Sequence, residues 1–235
     1  MSPPRLPKLP LRQWIARNRP VALVNLFVVS FFGGLAAYIK LADLQNAPSR
    51  KQRVQILTAL FRDPFSRSQP YMGALTSLSE ILLCLTATFC LATVVLLRRL
   101  GQGGSRTGRK FLLASGLLAC LLLVDDIVRL TLLLETVLGL PKILMYGLYG
   151  VGILTVAYRF RRYVAEATPY PLILLALGAF FLSGIVDALP FAGHGSLILL
   201  EDAPKLIGLV NMAFYFWQVC QQNLDLALAD RTGPD

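Results

Sequence analysis

From Met72 to Leu97 the chain reads MGALTSLSEILLCLTATFCLATVVLL, with Glu80 its single charge, and it closes on Arg98 and Arg99. A helix rises about 1.5 Å per residue and the hydrocarbon core of a bilayer is about 30 Å thick, so an apolar run of this length reads as a membrane-crossing helix. A strand barrel would show short segments of alternating polarity instead. None is present.

Five further runs repeat the pattern: Pro20 to Leu41, Phe111 to Leu134, Ile143 to Phe160, Pro171 to Leu189 and Leu197 to Val219. The expected fold is therefore all-α, a polytopic transmembrane bundle of about six spans within residues 20–220. A basic arm (1–19) precedes it and a polar tail (221–235) follows. Composition agrees: 55% of the 235 residues are hydrophobic and 15% are charged, against about 25% charged in soluble domains. Mean hydropathy is +0.61. The net charge of +10 does not point to nucleic acid, because the bases lie between apolar runs, where a topogenic role and the membrane surface explain them.

Counting Lys and Arg by connection sets an orientation. With the N-terminus inside, fourteen fall on the inner side and seven on the outer, so both termini are expected in the cytoplasm. The outer exception is residues 42–71, which carry Arg50, Lys51, Arg53, Arg62 and Arg67; there Val54, Leu57, Leu60 and Phe61 recur at helical spacing, as in an amphipathic helix on the membrane or a plain connector. The first run follows a basic, Pro-rich opening in the manner of a signal sequence, but its length favours a retained anchor. Cys84, Cys90, Cys120 and Cys220 all lie in apolar runs without a CxxC pair and read as small buried hydrophobes. Gly33, Gly34, Gly116, Gly147, Gly150 and their small neighbours read as helix-contact residues.

Charges within spans are costly, and they mark candidate sites. Here they are Glu80 in the second span, Asp125, Asp126 and Arg129 in the third, Asp187 in the fifth, and Glu201, Asp202 and Lys205 in the sixth. In the orientation above all eight fall in the outer half. Arg129 follows Asp126 and Asp125 by three and four residues, and Lys205 follows Glu201 by four, so each base is expected to reach an acid on its own helix. Crowded carboxylates in a low dielectric protonate, bind a cation or meet a basic partner. The expected ligand set is Asp125, Asp126, Glu201, Asp202, Asp187 and Glu80, with Arg129 and Lys205 as pairing charges.

Each has a plainer reading. Asp202, before Ala203 and Pro204, fits an N-cap; Asp187, near Pro190, fits a helix end; Glu80 fits a solvated first turn. Asp125 and Asp126 lie too deep for that, though a structural salt bridge to Arg129 stands as an alternative. One histidine, His194, in the loop Ala192 to Ser196, argues against a His-rich zinc hydrolase. No cofactor is expected; an all-oxygen set suits Ca²⁺ or Mg²⁺ if a metal binds. A retinal on Lys205 is disfavoured by its shallow depth and by six spans.

At Leu122 to Leu134 (LLVDDIVRLTLLL) and Leu199 to Leu209 (LLEDAPKLIGL) the chain resembles a widespread group of uncharacterised bacterial membrane proteins. That resemblance covers an anchor helix, a loop before the second span, a paired-acid motif in the third and an acid-acid-x-x-Lys-x-x-Gly motif in the last. The group often carries a His–Glu pair after the third-span acids, where this chain has Arg129, Leu130, Thr131 and Leu132. The resemblance implies a multi-pass protein of a bacterial cytoplasmic (inner) membrane and brings no activity.

The functional expectation is an acidic pocket binding a proton, a small cation or a cationic solute, with lipid as surroundings and no catalytic residue. Two other classes are a structural or assembly subunit contacting another membrane protein, and an intramembrane lipid hydrolase, for which no nucleophile stands out.

Overall fold

A computed structural model describes residues 11–41, 74–100, 105–139, 141–188 and 195–229, all helical apart from short turns. The helices are α1 (Leu11–Leu41), α2 (Ala74–Arg99), α3 (Arg106–Val128), α4 (Leu130–Leu138), α5 (Lys142–Arg159), α6 (Arg161–Ala167), α7 (Tyr170–Ala188) and α8 (Gly195–Ala229). The first loop and His194 lie outside the described residues, while Gly195 and Ser196, expected in the loop around His194, begin α8. Among the described helices, the segments Arg19–Ala37, Ala74–Arg99 and Arg106–Val128 are long and apolar enough to cross a membrane. A fourth is reached if Ile143–Arg159 and Arg161–Ala167, which meet at a 64° bend, count as one.

The described residues fall into two compact units. One lies within Leu82–Ile173 and Met212–Asp235, the other within Leu9–Ile81 and Leu174–Asn211.

In the first unit, Phe111 on α3 is the hub of an aromatic core. Its ring lies 5.5 Å from Phe160, 5.4 Å from Tyr163 and 5.9 Å from Phe216. Tyr215 of α8, fully buried, donates its hydroxyl to Thr168 at 3.0 Å. Asn223, 2% exposed, donates to the Tyr163 hydroxyl and to the Val219 carbonyl, each at 2.8 Å. Its amide oxygen has no hydrogen-bond donor and faces Gly108. Ser105 caps α3 by accepting the Gly108 N–H at 3.3 Å, the usual use of a serine at that position.

The third apolar run departs from the sequence reading. Phe111 to Leu134 reads as one span, yet α3 ends at Val128 and α4 begins at Leu130. Between them Arg129 adopts φ 56° and ψ 45°, the left-handed region that a side-chain-bearing residue enters at a cost of about 1–2 kcal/mol. Gly139, at φ 66°, closes α4 by donating to Glu135 O at 3.0 Å, and Pro141 opens α5.

In the second unit α1 and α8 are joined by a reciprocal amide pair. Asn25 donates to Asn211 at 2.9 Å and Asn211 returns the bond at 2.8 Å, while also donating to its own Ile207 carbonyl. Asn211 is fully buried, so each amide satisfies groups that an apolar surrounding would leave bare. Pro204 lies inside α8. Asp202 is therefore several residues into a running helix and does not stand at its start as a cap.

Both units bury several polar side chains within an apolar core and leave many large apolar side chains exposed. Thr86, Asn211, Asn223, Thr93 and Gln218 are buried, whereas Phe27, Leu154 and Phe181 are about 70% exposed. Thr86 and Thr155 return their hydroxyls to carbonyls one turn back, at 2.8 and 2.7 Å, a local solution to the same demand.

A side chain at Gly108 would collide with the Asn223 carboxamide and approach the Tyr163 hydroxyl to 2.8 Å. Gly108→Ala is expected to cost about 1–3 kcal/mol through overpacking, read as a lowered Tm of the purified protein. Gly147→Ala, with open space around it, is expected to hold or raise Tm through better helix propensity.

Candidate functional site

Two polar centres emerge, one in each unit. The first forms where α3, α4 and α5 meet. A helix beginning at Leu130 needs acceptors for its first N–H groups, and Arg129, in the cap position, makes no side-chain cap. Asp125 supplies the missing oxygen from the end of α3. Its Oδ1 accepts the Thr131 N–H at 2.8 Å and the Thr131 hydroxyl at 2.9 Å, with Oδ2 3.0 Å from the same hydroxyl. The buried Tyr149 of α5 reaches both groups through its phenol. The Asp125 carboxylate is thus engaged in holding a helix break, a charge-assisted arrangement stronger than a neutral hydrogen bond. Asp126 is half-buried beside it, and Arg129, expected on one helix with both acids, sits exposed at the break itself.

The second centre is a small cleft between the first turns of α2 and the first third of α8. Leu75, Thr76, Ser79, Asp202, Lys205 and Leu206 line a space of about 30 Å³. One water needs roughly 10–15 Å³ of such space, so there is room for about two or three waters or a desolvated ion. Ser79 is buried and donates to the Thr76 carbonyl at 2.7 Å. Asp202 and Lys205, three residues apart on α8, are half-buried. Glu80 follows Ser79 on α2 and is half-buried as well.

Of the residues singled out from the sequence, Asp202 and Lys205 share the cleft, while Asp125 engages Thr131 and Tyr149 instead. Asp187 and Glu201 lie on α7 and α8, and their side chains fall outside the described set. Thr76, Ser79, Thr131 and Tyr149 escaped the sequence reading because a hydroxyl in an apolar run resembles a helix-contact residue. Asn25 and Asn211 escaped although a carboxamide deep in such a run is itself a signal. Among the described residues no group of three or more His, Cys, Asp or Glu side chains gathers as a metal centre.

The fold and these centres define an all-helical chain with several apolar helices suited to a membrane. Residues 21–219 match the model of a family described as a domain of unknown function, DUF8692, and the chain belongs to that family. No curated protein and no solved structure matches the chain.

Replacing Asp125 with Ala removes the acceptor for the first turn of α4. The Thr131 amide is expected to exchange hydrogen for deuterium roughly tenfold faster, the equivalent of about 1.5 kcal/mol for a lost charge-assisted bond. Unchanged protection of that amide would show the cap to be dispensable.

Proposed function

We propose that the chain is a multi-pass protein of a bacterial cytoplasmic membrane, with six spans and both termini inside, whose α2–α8 cleft takes up a proton or a small cation. The observation that carries this reading is the cleft itself. A carboxylate, an ammonium and two hydroxyl residues line a space of water size between helices whose outer faces are apolar. Charged groups in such helices are retained where they face a partner, a cavity or water.

In this account Asp202 provides the negative charge, Thr76 and Ser79 provide neutral oxygens, and Lys205 is the internal competitor. An entering cation competes with the Lys205 ammonium for the cleft, and its departure lets that ammonium return. Glu80 adds negative potential on α2, with Asp187 and Glu201 as further acids of the same unit. The size of the cleft favours a proton or a bare ion over a cationic solute. Should the occupant be a metal, oxygen donors of this kind suit Ca²⁺ or Mg²⁺.

A second reading, a structural or assembly subunit, is favoured by Asp125, whose carboxylate oxygens both serve the α3–α4 break.

Thermal unfolding of the purified protein across Na⁺, K⁺, Mg²⁺, Ca²⁺ and pH separates the two. A ligand at a hundredfold excess over its Kd stabilises by about 2.7 kcal/mol, a rise of roughly 5–10 °C for a chain of this size. Asp202→Asn is expected to abolish that rise, and Asp125→Asn to lower the baseline Tm while leaving the rise in place. Stabilisation by no cation and no pH step, in wild type and variants alike, would remove the binding role and leave the structural one.

A further inference from the structure

The end of the first unit where α2 finishes and α3 begins carries a dense collar of positive charge. Arg98 and Arg99 close α2, and Arg106, Arg109 and Lys110 open α3 a few residues later. Contacts on the aromatic core bring a second basic group to the same end. Phe111, next to Lys110, packs 5.5 Å from Phe160 and 5.4 Å from Tyr163, and those two residues are flanked by Arg159, Arg161 and Arg162. The chain bends by 64° at this point, which turns α6 away from the axis of α5. Tyr163 and Ala167 of α6 are buried while Arg161 and Arg162 are exposed. All eight bases are exposed except Arg109, which is half-buried. Among the described residues of this end, the only acids are Glu166 and Asp225.

The surroundings say what such a collar meets. Directly beneath the bases the helices present large apolar side chains to the outside: Val95 and Leu96 before Arg98, and Leu154 one turn before Tyr158 and Arg159, the last of these leucines 68% exposed. The Arg161 guanidinium stacks over Tyr158, 4.8 Å from the ring centroid, and Tyr158 is 71% exposed. A ring of guanidinium groups above an apolar wall, with an exposed tyrosine at the boundary, has the layered polarity of one phospholipid leaflet. Nucleic acid or an acidic protein would pair with the charges but leave the wall beneath them uncovered.

We infer that this collar binds anionic phospholipids of the cytoplasmic leaflet, its arginines donating to headgroup phosphate oxygens while acyl chains cover the apolar side chains below. The inference rests on the membrane reading above and adds lipid selectivity to it. Arginine suits the role because its planar fork donates in pairs to phosphate and stays charged at every physiological pH. Each base near an anionic surface contributes about 1 kcal/mol, roughly fivefold in affinity.

The test uses the full-length protein in a neutral detergent, titrated with short-chain phosphatidylglycerol, short-chain phosphatidylcholine or inorganic phosphate while Tm is followed. Phosphatidylglycerol is expected to raise Tm saturably, phosphatidylcholine and inorganic phosphate much less, and 0.5 M NaCl to suppress the rise. In Arg159→Gln/Arg161→Gln/Arg162→Gln the phosphatidylglycerol concentration for half the rise is expected to increase roughly a hundredfold. Because these side chains are exposed, the variant should fold; if it does not, Arg98→Gln/Arg99→Gln is expected to shift the midpoint roughly twenty-five-fold. Equal effects of the two lipids, an equal effect of inorganic phosphate, or midpoints unmoved in the variants would overturn the inference. Failure of the membrane reading is distinguishable: the protein would then stay soluble and monodisperse with no detergent at all.

Discussion

A helix that breaks within an apolar run exposes N–H groups that its surroundings cannot satisfy, and at Arg129 the Asp125 carboxylate takes up that demand. The same constraint explains much of what the two units hold in common. Thr86, Asn211, Tyr215 and Asn223 lie buried and donate to a carbonyl or to a partner side chain, while Phe27, Leu154, Phe181 and many other large apolar side chains stand exposed. In water this arrangement would waste apolar burial. In hydrocarbon, where polar groups are costly when bare and apolar surface provides little drive for association, it is the economical one.

Within that constraint the polar residues divide by task. Asp125, Thr131 and Tyr149 fix the corner of α3, α4 and α5. Asn25 and Asn211 fasten α1 to α8 by two hydrogen bonds between their carboxamides. Thr76, Ser79, Asp202 and Lys205 instead border open space, which is why chemistry is assigned to them. The charge asymmetry follows as well, since the basic end of the first unit carries its arginines on the outside, around an aromatic plug that needs no ions to hold it.

Much of the helical layout was legible from hydropathy alone. The second, fourth and fifth apolar runs begin and end within two residues of α2, α5 and α7, because Arg98, Arg159 and Pro190 punctuate them. The break at Arg129 was not legible. A residue with no special preference for the left-handed region adopts it only because Asp125 and Thr131 compensate, and that compensation is a matter of three dimensions. Pro204 fits a helix start, the plainer reading of Asp202, yet α8 runs through it as the sixth apolar run does. Of the expected charged residues, Asp202 and Lys205 reach one cleft, but the hydroxyls that complete it carry no signal in a run of small and apolar residues. The task of Asp125 could not be seen until the helix was known to stop.

The central claim is that these helices lie in a bilayer in a defined orientation. Single-cysteine variants on a cysteine-free background, at Ser2, Ser49, Ser105 and Thr232, can be labelled in intact cells with a membrane-impermeant maleimide. The account expects Ser49→Cys to react from outside, and the other three to react only after the membrane is permeabilised. Labelling of Ser105→Cys and Ser49→Cys from the same side, or recovery of the whole protein in the supernatant after an alkaline carbonate wash, would contradict it.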